Sequence, residues 1–87
     1  MHDHVLWMPR RPNTVLIYEK VPAHLRQLRE QAGLTQRDLA ERIKKPQSWV
    51  ARCETAARRV DVAEWVEWCF ACGVKTQIAL EDLVKRR

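Results

Sequence analysis

The chain has 87 residues, 46% of them hydrophobic and only two of them glycine, which bounds it to one small domain and argues against a disordered or loop-rich protein. No stretch approaches the ~18 apolar residues of a membrane span, and the start "MHDHVLWMPRRP" lacks the apolar core and cleavage site of a signal peptide. A cytoplasmic protein is expected, and three cysteines in a reducing compartment then imply no disulfide framework.

The net charge of +5 is unevenly placed. Residues 1–21 carry 3 basic and 2 acidic groups, residues 22–59 carry 9 and 4, and residues 60–87 carry 4 and 5. A positive field confined to the middle of the chain suits a polyanion such as nucleic acid. Solubilising charge is the plainer alternative.

Residues 1–21 are expected to form an N-terminal arm. Pro9 and Pro12, with Arg10 and Arg11 between them, suit extended backbone that reaches a groove or phosphate. "TVLIYEK", residues 14–20, is β-branched and aromatic and predicts a short strand, or else a coil whose apolar residues pack on the domain. A lone strand needs a partner, and the same strand of a second chain would serve.

From Pro22 onward the periodicity is helical. Pro22 suits a first helical position, Leu25, Leu28 and Ala32 recur on one face, and Gly33 supplies a stop. Thr35 with Asp38 marks the cap of a second helix whose inward stripe is Leu39, Ala40 and Ile43. Lys44 and Lys45 form the turn, and Pro46 opens a third helix to about Glu54, with Val50 and Cys53 inward. "AARRV" is a loop. Asp61 with Glu64 repeats the cap-and-acid pattern and starts a fourth helix that ends at Gly73. Thr76 is expected to cap a fifth, with Leu80, Leu83 and Val84 buried. Five short helices with tight connections predict a compact all-α domain over residues 22–87.

Two helices joined by so short a turn describe a helix-turn-helix. With Val50 and Cys53 buried, helical geometry turns Gln47, Ser48, Ala51 and Arg52 outward, with Trp49 at the boundary. Gln pairs with adenine N6/N7 and Arg with guanine O6/N7, so this face suits base edges. Gln36 opens the second helix, where its side-chain amide is placed to donate to a phosphate.

"LRQLREQAGLTQRDLAERI", followed by "PQSWVARCE" and "RRVDVAEW", resembles the phage repressor and Cro-like, or XRE-type, helix-turn-helix family over roughly residues 22–84. The resemblance implies a five-helix lambda-repressor-like domain whose third helix enters the major groove of double-stranded DNA. It also implies a phosphate-holding Gln36, base-facing Gln47, Ser48 and Arg52, and a structural ion pair between Arg29 and Glu54. Three positions depart from the family. Lys44 stands for the usual turn Gly, Ala56 for the Gly after the third helix, and Cys53 for the usual Ile.

Arg58 and Arg59 follow the third helix, where family members hold phosphates; the alternative is pairing with Glu64 or Glu67. Trp49 either wedges against the sugar-phosphate backbone, the preferred reading, or packs over the second helix. Trp65 and Trp68 are expected in the core or a dimer contact, and Trp7 in the arm. His24 is expected on the surface, and His2 and His4 at a flexible end. The Cys69–Cys72 pair lies near a helix C-terminus, where the dipole does not activate a thiol, so a redox role fails. A structural zinc site wants four ligands that the chain does not group. No nucleophile–base pair or phosphate-cradling Gly loop can be assembled, so neither an enzyme nor a cofactor is expected. The expectation is a homodimeric DNA-binding regulator, a repressor. The alternative is an antitoxin or adaptor holding a protein partner through residues 1–21.

Overall fold

The computed structural model describes residues 14–86. Six helices follow one another: α1 (Thr14–Tyr18), α2 (Val21–Gln31), α3 (Gln36–Ile43), α4 (Gln47–Glu54), α5 (Val62–Ala71) and α6 (Thr76–Lys85). No strand occurs among the described residues. Helices α2 to α6 are the expected five, in an all-α architecture. His2, His4, Trp7, Arg10 and Arg11 lie outside the described residues.

The starts and stops follow from local chemistry. At α3 the Asp38 amide donates to Thr35 Oγ1 and the Thr35 amide donates to Asp38 Oδ2, each at 3.0 Å. At α5 the Glu64 amide donates to Asp61 Oδ1 at 2.8 Å and the Asp61 amide to Glu64 Oε1 at 3.0 Å. Each reciprocal box satisfies two backbone donors that a helix start otherwise leaves open. Thr76, expected as a cap, is instead the first residue of α6, and Lys75 occupies the cap position without a side-chain bond.

One core joins all five helices. Leu25 and Leu28 of α2, Leu39 and Ala40 of α3, Val50 and Cys53 of α4, Trp68 and Cys69 of α5, and Ala79 and Leu83 of α6 are buried. α4 packs on α3 and α2, while α5 packs on α3 and α6. Trp68 is fully enclosed, and its indole N–H donates to the Leu25 carbonyl at 3.0 Å. Burial is the largest cause of the raised Cys53 thiol, against the opposing effect of Arg58, and it is also the largest cause of Cys69 and Cys72 each standing at about 11. These thiols stay protonated and act as small apolar groups.

Three further expectations are corrected. "TVLIY" is a helix, not a strand. Five residues are too few for intrinsic preference to decide conformation. Tertiary contact decides instead: α1 packs on α2, and the Tyr18 hydroxyl accepts the Val60 amide at 2.7 Å. In α6 the buried side is Ala79 with Leu83, whereas Leu80 and Val84 are exposed. Apolar residues at 78, 79, 80, 83 and 84 span too wide an arc for periodicity to choose a face, and small Ala79 allows the closer approach. His24, expected on the surface, is wholly buried. It belongs to the stripe Val21, His24, Leu25, Leu28, spaced as a helix face requires.

His24 ties three helices. Its Nε2 accepts the Trp65 indole N–H at 3.1 Å, which requires that nitrogen to be unprotonated. Its Nδ1 lies 3.6 Å from Asp82 Oδ2, longer than a hydrogen bond, and has no other partner. Burial holds the imidazole below its ordinary 6.5; Asp82 opposes this and Arg86 reinforces it. The folded state therefore binds fewer protons than the unfolded one, and stability present at neutral pH is lost as pH falls below about 6.5. The urea midpoint should drop across pH 6.5 to 5 in the wild type, and this dependence should flatten in His24→Asn.

Candidate nucleic-acid interface

The α3–α4 pair is closed by a tight turn in which Lys44 adopts φ 59° and ψ 47° and the Lys45 amide donates to the Ala40 carbonyl at 3.0 Å. Past α4, Ala56 adopts φ 68°, and the Ala57 and Arg58 amides both donate to the Arg52 carbonyl. Both left-handed positions carry side chains, at the two places where the resemblance leads one to expect Gly. A side chain there carries a steric cost that Gly escapes. Lys44→Gly and Ala56→Gly should each stabilise by roughly 0.5–1 kcal/mol, read as a raised urea midpoint.

Within this frame α4 leaves Gln47, Ser48 and Arg52 exposed, Ala51 half-buried, and Val50 and Cys53 inward. Glu54, the one acid of α4, is turned away from that face. Its carboxylate accepts Arg29 Nε at 2.7 Å, Arg29 Nη2 at 3.0 Å and the Gln36 side-chain amide at 3.1 Å. Arg29 also donates to the Leu34 carbonyl at 2.9 Å. Side-chain exposure is 10% for Arg29 and 2% for Glu54, so the pair lies inside the protein. The hydrogen bond to Glu54 is the main reason the guanidinium is held above its ordinary value, against the opposing effect of burial. One buried node thus joins α2, the loop before α3, the first residue of α3 and the last of α4.

Gln36 is therefore partly committed. Its amide nitrogen carries two hydrogens, and Glu54 takes one. Gln36, Arg37 and Gln47 line a shallow recess at the α3 N-terminus, bringing the two expected glutamines together. Arg37 was not singled out from the sequence; its place beside Gln36 in the first turn was the available signal.

Of the remaining candidates, Trp49 and Arg58 meet each other, while Arg59 meets Tyr18. Trp49 is half-buried, with its ring 6.2 Å from that of Trp68. Lys45 Nζ lies 5.3 Å from the Trp49 ring centre and the Arg58 guanidinium 4.9 Å from it. Arg58 grips Glu64 with both terminal nitrogens at 3.0 Å and donates to the Arg59 carbonyl at 2.7 Å. Arg58 hydrogen bonding is the largest cause of the low Glu64 carboxyl pKa, ahead of the Asp61 amide. The Arg59 guanidinium covers the Tyr18 ring at 3.8 Å while the residue stays exposed. The structure thus brings Gln36 and Gln47 to one recess, leaves Gln47, Ser48 and Arg52 exposed on α4, and brings Arg58 and Trp49 to each other. No helix among the described residues is long and apolar enough to cross a membrane.

Comparison with known proteins places this geometry. A family model described as a helix-turn-helix domain matches residues 23–83. The fold superposes on an XRE-family like protein from Pseudomonas syringae pv. tomato str. DC3000 with a TM-score of 0.74 and 35% identity, covering 82% of this chain and 87% of that one. The restriction-modification controller protein C.Esp1396I shares the fold at a TM-score of 0.74 and 22% identity, over 79% of this chain and 91% of that one. Its tetramer in complex with a natural 35 base-pair operator gives a TM-score of 0.73 at 22% identity, over the same shares. No match exists among curated proteins. The extent of the family match and the identity to the Pseudomonas protein show that the chain belongs to the XRE-type helix-turn-helix family.

Proposed function

We propose that the protein is a sequence-specific, double-stranded-DNA-binding transcriptional regulator, a repressor, that lays α4 in the major groove. The carrying observation is the exposed row Gln47, Ser48 and Arg52 on a helix whose one carboxylate is sealed inside. In this reading Gln47 and Arg52 contact base edges and Ser48 hydrogen-bonds beside them. Gln36 donates its second amide hydrogen to a phosphate, with Arg37 and Arg59 adding charge along the backbone. Trp49 and Arg58, in contact with each other, support α4 in this reading. The operator complex of C.Esp1396I, a protein of the same fold, supports the reading by likeness.

A single module reads few base pairs, so a two-fold homodimer on half-sites about 34 Å apart is part of the proposal. An apolar cleft of about 350 Å³ lined by Tyr18, Val60, Val62, Trp65, Leu80 and Leu83 supports a second copy as its occupant. The adaptor reading has residues 1–21 hold a protein partner, and of that segment Tyr18 and Val21 line the cleft. It predicts a stable complex with no salt-sensitive affinity for duplex DNA.

Gel-shift titration across a salt series tests the proposal. DNA affinity should fall steeply with salt. Arg52→Ala or Gln47→Ala should cost about 1–3 kcal/mol and relax preference at one base position. Gln36→Ala should weaken all sequences alike. Flat salt dependence, or a Gln47→Ala and Arg52→Ala pair that binds like wild type, would remove α4 from the interface.

A further inference from the structure

Arg58 stands where phosphate contact is expected, yet its surroundings assign it other work. Both terminal nitrogens are engaged, with three of the five guanidinium donors in use: one Nη donates to Glu64 Oε1 and to the Arg59 carbonyl, the other to Glu64 Oε2. Glu64 is itself fixed, because the same carboxylate accepts the Asp61 amide at the start of α5. The guanidinium also covers Trp49, whose ring faces Trp68, and the Trp68 indole is bonded to the Leu25 carbonyl of α2. A connected path therefore runs from the core of α2 through two tryptophans and Arg58 to the first turn of α5. Trp49 sits one residue from Ser48 and three from Arg52 on the same short helix, so the contacts that hold its ring bear, with buried Val50 and Cys53, on the roll of α4.

An arginine used this way offers little to a phosphate. Its charge is matched by a bidentate carboxylate, and moving it outward would break that pair and uncover the Trp49 ring. We propose that Arg58, clasped by Glu64 and seated on Trp49, is a positioning residue that fixes the roll of α4 and thereby the selectivity of the base-reading row. Arg59, exposed, laid on the Tyr18 ring and with no carboxylate at ion-pair distance among the described residues, keeps its charge unmatched and is left to supply it to a phosphate. The proposal rests on the DNA-binding reading above and adds to it the residue that sets specificity without touching a base.

Charge-conserving substitution separates the two roles. Lysine keeps the charge of Arg58 but has neither the planar fork for Glu64 nor the flat face for Trp49. Wild type, Arg58→Lys, Arg58→Ala and Glu64→Gln are compared on a duplex selected by the wild-type protein and on a scrambled duplex, across a salt series. Glutamine at position 64 keeps an oxygen for the Asp61 amide, so the helix start survives; circular dichroism on each variant confirms folding.

Positioning predicts that all three variants lower the ratio of selected to scrambled affinity, by about tenfold, while the slope of log affinity against log salt is unchanged. A phosphate ligand predicts the reverse pattern. Arg58→Lys would rescue binding, Arg58→Ala would reduce the slope by about 0.9, and Glu64→Gln would tighten binding by releasing the charge. That second pattern overturns the clasp and leaves the DNA-binding reading standing. A wild-type protein that selects no duplex overturns both.

Discussion

Glu54→Ala is expected to destabilise the domain by about 3–5 kcal/mol, the range for removing one partner of a buried ion pair. The cause is what the substitution leaves behind. Arg29 is 8% exposed, and its guanidinium would lose two charge-assisted hydrogen bonds with only the Leu34 carbonyl remaining. Gln36 would lose its inward acceptor as well. A small domain has roughly 5–15 kcal/mol of stability in all, so the loss is a large share of the total. The intact pair is not thereby a large net stabiliser, because both charges left water to form it. Replacing both partners by apolar residues, Arg29→Met with Glu54→Leu, should cost far less than Glu54→Ala alone. Urea unfolding of the two single variants and the double variant measures this. Additive losses in the double variant would show that the two groups do not depend on each other.

Trp68→Ala is the second large effect, about 3–5 kcal/mol by the usual cost of emptying a buried aromatic site. Trp68 is fully enclosed and touches both sides of the fold: its N–H bonds to α2, and its ring backs Trp49 of α4. The void would open beneath the helix that carries Gln47, Ser48 and Arg52. The loss should therefore show both as a lowered urea midpoint and, where the variant still folds, as reduced preference for the selected duplex. Trp68→Phe should fall between, keeping most of the ring contact while losing the bond to the Leu25 carbonyl.

Helices α2 to α5 were legible because periodicity and end chemistry agreed. Thr35 with Asp38 and Asp61 with Glu64 form the boxes that their spacing announced, and Val50 with Cys53 points inward as 3.6-residue geometry requires. The exposed row on α4 followed from that one choice of inward face. The misses have physical causes too. β-branched residues at 14–18 argued for a strand, but a five-residue segment takes its conformation from what it packs against. His24 is expected on the surface, but its position in the α2 stripe decides its place once Trp65 supplies a donor.

The arginines at 58 and 59 show the limit most clearly. Their loop position was legible, but which one is clasped depends on where the first turn of α5 lies relative to α4. Periodicity within one helix carries nothing about that distance. The same limit applies to Trp49, whose contacts with Lys45, Arg58 and Trp68 come from three separate segments of the chain.

The central claim is that duplex DNA covers the outward side of α4. Selecting bound oligonucleotides from a random pool, with wild type and Arg52→Ala in parallel, tests it most directly. Wild type should enrich a two-fold symmetric motif, and Arg52→Ala should lose preference at one position in each half while keeping the rest. Enrichment of no motif by the wild type, or of the same motif by both proteins, would contradict the account.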